Sequence, residues 1–156
     1  MAKRPLRIAL MLAAACTLVG CIDPSDRTPG TWLSGTPTAL PSDWGFTDDH
    51  KQIAIQVHSP YGIAHSVTIW CASMDGRLHV GARDPESKNW PGWADRDPDV
   101  RLGIDGRLYD VHLAPVEDPE YVTRLQRVYA AKYELPSPSS GEAPPIRYWI
   151  VQAREG

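Results

Sequence analysis

The sequence predicts a mainly β domain, a small antiparallel barrel of about six strands with one covering C-terminal helix. Three observations predict it. Apolar residues alternate with polar ones in six short runs, the period-two pattern of half-buried strands. Two junctions between runs carry Asp-Gly, at 75–76 and 105–106, the pair favoured where a hairpin turn needs positive φ at both central residues. One long stretch alone, around Val122, Leu125, Tyr129 and Tyr133, has helical spacing.

Ahead of this domain the chain reads as a leader. Lys3, Arg4 and Arg7 give a positive start, and Ile8 to Val19 form an uncharged apolar run of 12 residues. A spanning helix needs about 20 residues, so this run suits a cleaved export signal over residues 1–20 rather than a permanent anchor. Leu18-Val19-Gly20-Cys21 resembles the bacterial lipobox. That resemblance implies cleavage before Cys21 and a diacylglycerol on its thiol, which would hold the mature chain to membrane lipid. Cys16, after Ala13-Ala14-Ala15, is a poorer match because its apolar run is shorter and its Leu is one place too far back. Ile22, not Asp, follows Cys21, so the usual inner-membrane retention signal of enteric bacteria is missing; in a cell with two membranes this favours the outer one. Residues 21–43 are dense in Pro, Ser, Thr, Gly and Asp without periodicity and are expected to be a lipidated tether or, equally, a loosely packed N-terminal extension, with Trp32, Trp44 and Phe46 as aromatic exceptions of which some are expected to pack on the domain edge. The folded unit is expected over residues 44–156.

Charge and cysteine content narrow the partners. The chain has 16 basic and 19 acidic residues; loss of the three basic residues in the leader leaves 13 against 19, a net charge of −6. That balance argues against nucleic acid or an anionic membrane surface as a partner. After cleavage only Cys21 and Cys71 remain, so an acylated Cys21 leaves Cys71 without an intrachain partner. Cys71 falls within an apolar strand pattern and reads as a buried structural thiol.

The strands follow in order. Ile53, Ile55 and Val57 form the first run, and Val67, Ile69 and Cys71 the second. After Asp75-Gly76 come Leu78 and Val80. Val100, Leu102 and Ile104 lead into Asp105-Gly106 and then Leu108 to Leu113. Ile146, Tyr148 and Ile150 make the last strand. The repeated Asp-Gly-Arg-Leu at 75–78 and 105–108 reflects shared turn chemistry. A short helical piece is expected over Pro91 to Asp97. The longer helix starts at Asp118 as N-cap, with Pro119 and Glu120 in its first turn, and its apolar stripe is expected to cover a barrel end. Pro136 closes it, and 136–145 is expected to be a loop.

These residues carry a resemblance. Ser66-Val67-Thr68-Ile69-Trp70, the hairpin to Leu78-His79-Val80-Gly81-Ala82-Arg83, Ser87-Lys88-Asn89-Trp90 and Asp97-Pro98-Asp99-Val100 resemble the flavin-binding split barrels. That superfamily includes pyridoxamine phosphate oxidase and the deazaflavin-dependent nitroreductases. Tyr129-Ala130-Ala131-Lys132-Tyr133 resembles an uncharacterised branch of it. The resemblance implies a homodimer with FMN or a deazaflavin at the subunit interface, Arg83, Ser87 and Lys88 toward the phosphate, and Thr68 and Trp70 near the ring. Asp84 and Glu86 lie among these phosphate positions and would repel an anion, and His65 stands where many flavin-binding members carry Arg. The functional expectation is therefore a lipid-anchored split barrel acting without cofactor as a binding or envelope module, with an FMN- or deazaflavin-dependent oxidoreductase as the alternative. A third reading is a barrel holding an apolar small molecule or haem.

Other chemistry lacks its pattern. The five histidines, 50, 58, 65, 79 and 112, show no i, i+4 pair; only His79 and His112 could meet across strands, and surface histidines are expected, with no metal site. Asp95 to Asp99 fails as a calcium loop because Val100 occupies its glycine place. No Gly-x-Ser-x-Gly elbow supports a hydrolase. Trp90 and Trp93 are expected to form a ligand surface or a dimer contact.

Overall fold

The computed structural model of the protein describes residues 30–136 and 145–155. The leader, Cys21 and the tether up to residue 29 lie outside the described residues, as does most of the expected 136–145 loop. The described chain forms β1 (Thr36–Pro37), β2 (Gln52–His58), β3 (Ala64–Met74), β4 (Arg77–Arg83), α1 (Asn89–Arg96), β5 (Asp99–Ile104), β6 (Arg107–Pro115), α2 (Pro119–Tyr133) and β7 (Ile146–Gln152). Strands run in the order β6-β5-β2-β3-β4-β7, and pairing of β6 with β7 closes an antiparallel barrel of six.

Both Asp-Gly pairs turn hairpins. Asp75 and Gly76 take φ of 55° and 72°, and Asp105 and Gly106 take 49° and 71°. These turns set the registers β3–β4 and β5–β6, and the period-two apolar residues of β2 to β5 point inward. In β7 the inward residues are Trp149 and Val151, so the expected run of Ile146, Tyr148 and Ile150 lies on the alternate face, with Tyr148 under α2. Ile55, Val57, Leu78, Val80, Leu102, Val111, Leu113 and Trp149 fill the barrel with almost no exposure. Burying each such aliphatic side chain contributes about 1.5–3 kcal/mol. This interior is occupied by side chains, which removes the reading of a barrel that carries an apolar ligand or haem inside it.

A second core lies outside the barrel. Asp118 caps α2 by accepting the Glu120 amide at 3.0 Å, and Pro119 opens the helix. Leu125 and Tyr129 then pack on Ala72, Met74 and Tyr148. These strand residues alternate with the inward set, so α2 covers the outer face of β3, β4 and β7 rather than a barrel end. The stripe has the expected spacing, but spacing does not say which surface the helix meets. The shorter helix begins at Asn89, two residues before the expected Pro91.

The tether was expected to run to residue 43, yet the chain lies against the barrel from Gly30. Gly30 and Ser66 exchange backbone hydrogen bonds of 3.0 and 2.8 Å. The Leu33 amide donates to Gln56 Oε1 at 2.7 Å, and β1 pairs with β6. Leu33 can approach because Gly103 has no side chain: a Cβ there would lie 3.3 Å from Leu33 Cδ1. Buried Trp44 closes one end of the core against Tyr109, ring centroids 5.2 Å apart.

Candidate functional site

The barrel is split between β3 and β4. β3 has eleven residues and pairs with β2 over the stretch Ala64 to Trp70. Its pairing with β4 covers only Trp70 to Met74. Beyond Gly81, β4 continues along β7 instead. Because N–H and C=O groups alternate sides along a strand, and those of Ser66 point to Gly30, the same groups of Thr68 point to the unpaired edge. Thr68 thus presents a backbone donor and acceptor into the wedge where β3 and β4 separate.

A cleft of about 200 Å³ occupies this wedge, lined by Gln52, Thr68, Ile69, Trp70, Gly81, Ala82, Arg83, Lys88 and Trp90. Four of the five residues expected at a cofactor, Thr68, Trp70, Arg83 and Lys88, come together there. Trp70 stacks on Tyr133 at 4.6 Å with the rings 15° apart, so α2 fixes one wall. Tyr133 is itself held: its hydroxyl lies 2.7 Å from the carbonyl oxygens of Lys51 and Cys71, donating its one proton between them, and accepts the Cys71 amide at 2.9 Å.

The fifth residue, Ser87, does not line the cleft. Its hydroxyl donates to the Asp84 carbonyl at 2.7 Å inside a 3-10 turn, Pro85–Ser87. Asp84 enters that turn with φ of 49°. The cations beside it are partnered within the loop. Arg83 Nε lies 3.4 Å from Asp84 Oδ2, and Lys88 Nζ donates to the Arg83 carbonyl oxygen.

The expected aromatic surface divides. Trp90 is 4 % exposed and packs on Trp149 at 5.1 Å, so it is part of the core and forms the cleft floor rather than an open face. Asp95 holds α1 in place by accepting two hydrogen bonds from Arg147, at 2.6 and 2.9 Å, and one from Trp149 Nε1 at 3.3 Å. Trp93 is half-buried and meets Tyr61 and His65 edge-on at 6.0 and 5.3 Å.

The histidines do not converge. His112 pairs with Asp99 at 2.9 Å on β6, while His79 on β4 is fully buried beneath α2 against Tyr121, with Nε2 3.0 Å from its hydroxyl. His79 is therefore not the surface residue expected. Burial, then the nearby Arg77 charge, lowers its pKa to about 4. Sequence reasoning also missed Gln52 and Tyr133 as neighbours of the cleft. Gln52 lies opposite Trp70 in the β2–β3 register, a relation visible only once that register is known.

Residues 47–144 match the model of the DUF2255 family, described as an uncharacterized protein conserved in bacteria. The chain belongs to this family. Among solved structures, an F420 reductase is similar to this DUF2255 chain at 13 % identity, with a TM-score of 0.48 over 74 % of this chain and 97 % of that one. No curated protein sequence matches the DUF2255 chain.

Proposed function

We propose that the chain is an exported lipoprotein, acylated at Cys21, whose split barrel acts in the cell envelope as a binding module for a small planar ligand rather than as a cofactor-loaded oxidoreductase. The observation that carries this reading is the internal pairing of the cations at the cleft. Arg83 faces Asp84, which offsets its charge, and Lys88 gives one of its three N–H donors to the Arg83 carbonyl, so the pair offers a phosphate dianion a weakened cationic site. Thr68 and Trp70 suit one edge of a flat ring, but the phosphate end of FMN or of a deazaflavin is not matched by the residues present.

An FMN- or deazaflavin-dependent oxidoreductase is the second reading, favoured by the gathering of Thr68, Trp70, Arg83 and Lys88 at one cleft. Purification of the acylated chain from its membrane separates the two. The binding-module reading expects a mature N-terminus at Cys21 carrying lipid, and no stoichiometric flavin or deazaflavin absorbance. A retained equivalent of either cofactor would overturn it, and an intact leader would overturn the anchoring.

A further inference from the structure

The β2–β3 loop forms a stiff apolar tip. Ser59 closes it: the Ser59 amide and hydroxyl both donate to the Ile63 carbonyl, at 3.1 and 2.7 Å, and the Gly62 amide donates to the Ser59 carbonyl at 3.0 Å. The left-handed turn falls at Gly62, φ 77°. Trp93 braces Tyr61 edge-on. Yet Tyr61 is 68 % and Ile63 54 % exposed, so the loop is rigid while its largest apolar side chains face water.

Trp32, also 68 % exposed, belongs to the same end of the molecule. Gly30 bridges Ser66, which lies three positions beyond Ile63, about 10 Å along the strand. The next residues cross the sheet at that level, because the Leu33 amide meets Gln56, the register partner of Ser66, so Trp32 stays about 10 Å from the tip along the strand. Of the four large apolar side chains exposed among the described residues, only Phe46 lies elsewhere, stacked on Trp44.

The anchor is close to this end. Nine residue steps separate Cys21 from Gly30, a reach of at most about 30 Å. A domain of this size is roughly 35 Å across, so bringing the opposite face to the bilayer would need about 55 Å of chain around its circumference. We infer that Trp32, Tyr61 and Ile63 form a membrane footprint that seats the barrel on the lipid surface beside its own acyl anchor. The occupant is the headgroup–acyl boundary, where Trp and Tyr place an apolar ring and a polar edge in their preferred surroundings. This inference rests on the proposed acylation of Cys21.

The test uses the whole acylated chain in phosphatidylcholine vesicles whose acyl chains carry bromine, a contact quencher of tryptophan. Trp32 emission is isolated as the difference between the chain and its Trp32→Phe variant. The footprint predicts that this emission is lost in brominated vesicles and recovers in a Tyr61→Ser, Ile63→Ser variant that still floats with them. Flotation without quenching at Trp32 would overturn the footprint and leave the anchoring intact, as would cross-linking of two copies through Tyr61 with Trp32 unquenched. Failure to float would overturn the anchoring itself, and the footprint with it.

Discussion

Tyr129 crosses from α2 to the barrel and donates its hydroxyl to the His79 carbonyl oxygen at 3.0 Å, with its ring over Gly81. A Cβ at Gly81 would lie 2.8 Å from Tyr129 Cε1, closer than van der Waals contact allows. The ring sits where it does because residue 81 is glycine, and through Tyr133 the same helix walls the cleft.

Gly81→Ala is therefore expected to destabilise the fold by about 1–3 kcal/mol, the usual cost of overpacking. Tyr129→Phe keeps the ring and loses the buried hydrogen bond, at a cost of about 1 kcal/mol. Urea unfolding of the three chains checks both values. Equal stability of Gly81→Ala and the parent would show that α2 does not rest on this contact.

His79 makes stability fall in acid. Its folded pKa is lowered to about 4 from the ordinary 6.5, so below pH 6.5 the unfolded chain binds a proton that the folded chain refuses. Stability is full above pH 6.5 and declines as pH falls toward 4, by up to about 3 kcal/mol from this group. Nδ1 has no hydrogen-bond partner among the described residues, so the protonated ring would carry one buried N–H without an acceptor. The stability difference between the parent and His79→Gln should shift against the parent between pH 7 and pH 4.5. A difference that stays constant would show that His79 does not titrate there.

Cys71 is expected to be chemically silent. It is fully buried, and burial pushes its thiol up to about 11. At pH 8 about one molecule in a thousand carries the thiolate, the reactive form. Iodoacetamide at pH 8 should leave the Cys71 peptide unmodified in the folded chain and alkylate it in urea. Prompt labelling of the folded chain would show that Cys71 is open and reactive.

Much of the fold was legible because it is written in local rules. Asp75-Gly76 and Asp105-Gly106 specify turns through their own φ preferences, and Asp118-Pro119 specifies a helix start through capping. What was not legible depends on long-range register. Gln56 reaching the Leu33 amide, and Gly103 making room for Leu33, turn part of an apparent tether into a barrel covering. The aromatic residues at its end signal packing, and Trp44 is buried, but the Pro/Ser/Thr-rich stretch itself does not show where it lies. The cleft was legible at Thr68, Trp70, Arg83 and Lys88. Their partners were not, because the left-handed Asp84 aims the loop's hydrogen bonds back on itself, and residue type alone does not show whether a cation is already committed.

The pairing of Arg83 with Asp84 is the point on which the functional reading turns. Calorimetric titration of FMN into the purified acylated chain and its Asp84→Asn variant tests it, since asparagine tolerates the left-handed φ and keeps the backbone bonds of the turn. The account predicts a parent Kd weaker than about 10 μM. It also predicts about fivefold tighter binding by Asp84→Asn, the ~1 kcal/mol expected from removing one exposed like charge near the phosphate. Sub-micromolar binding by the parent, unchanged in the variant, would contradict it.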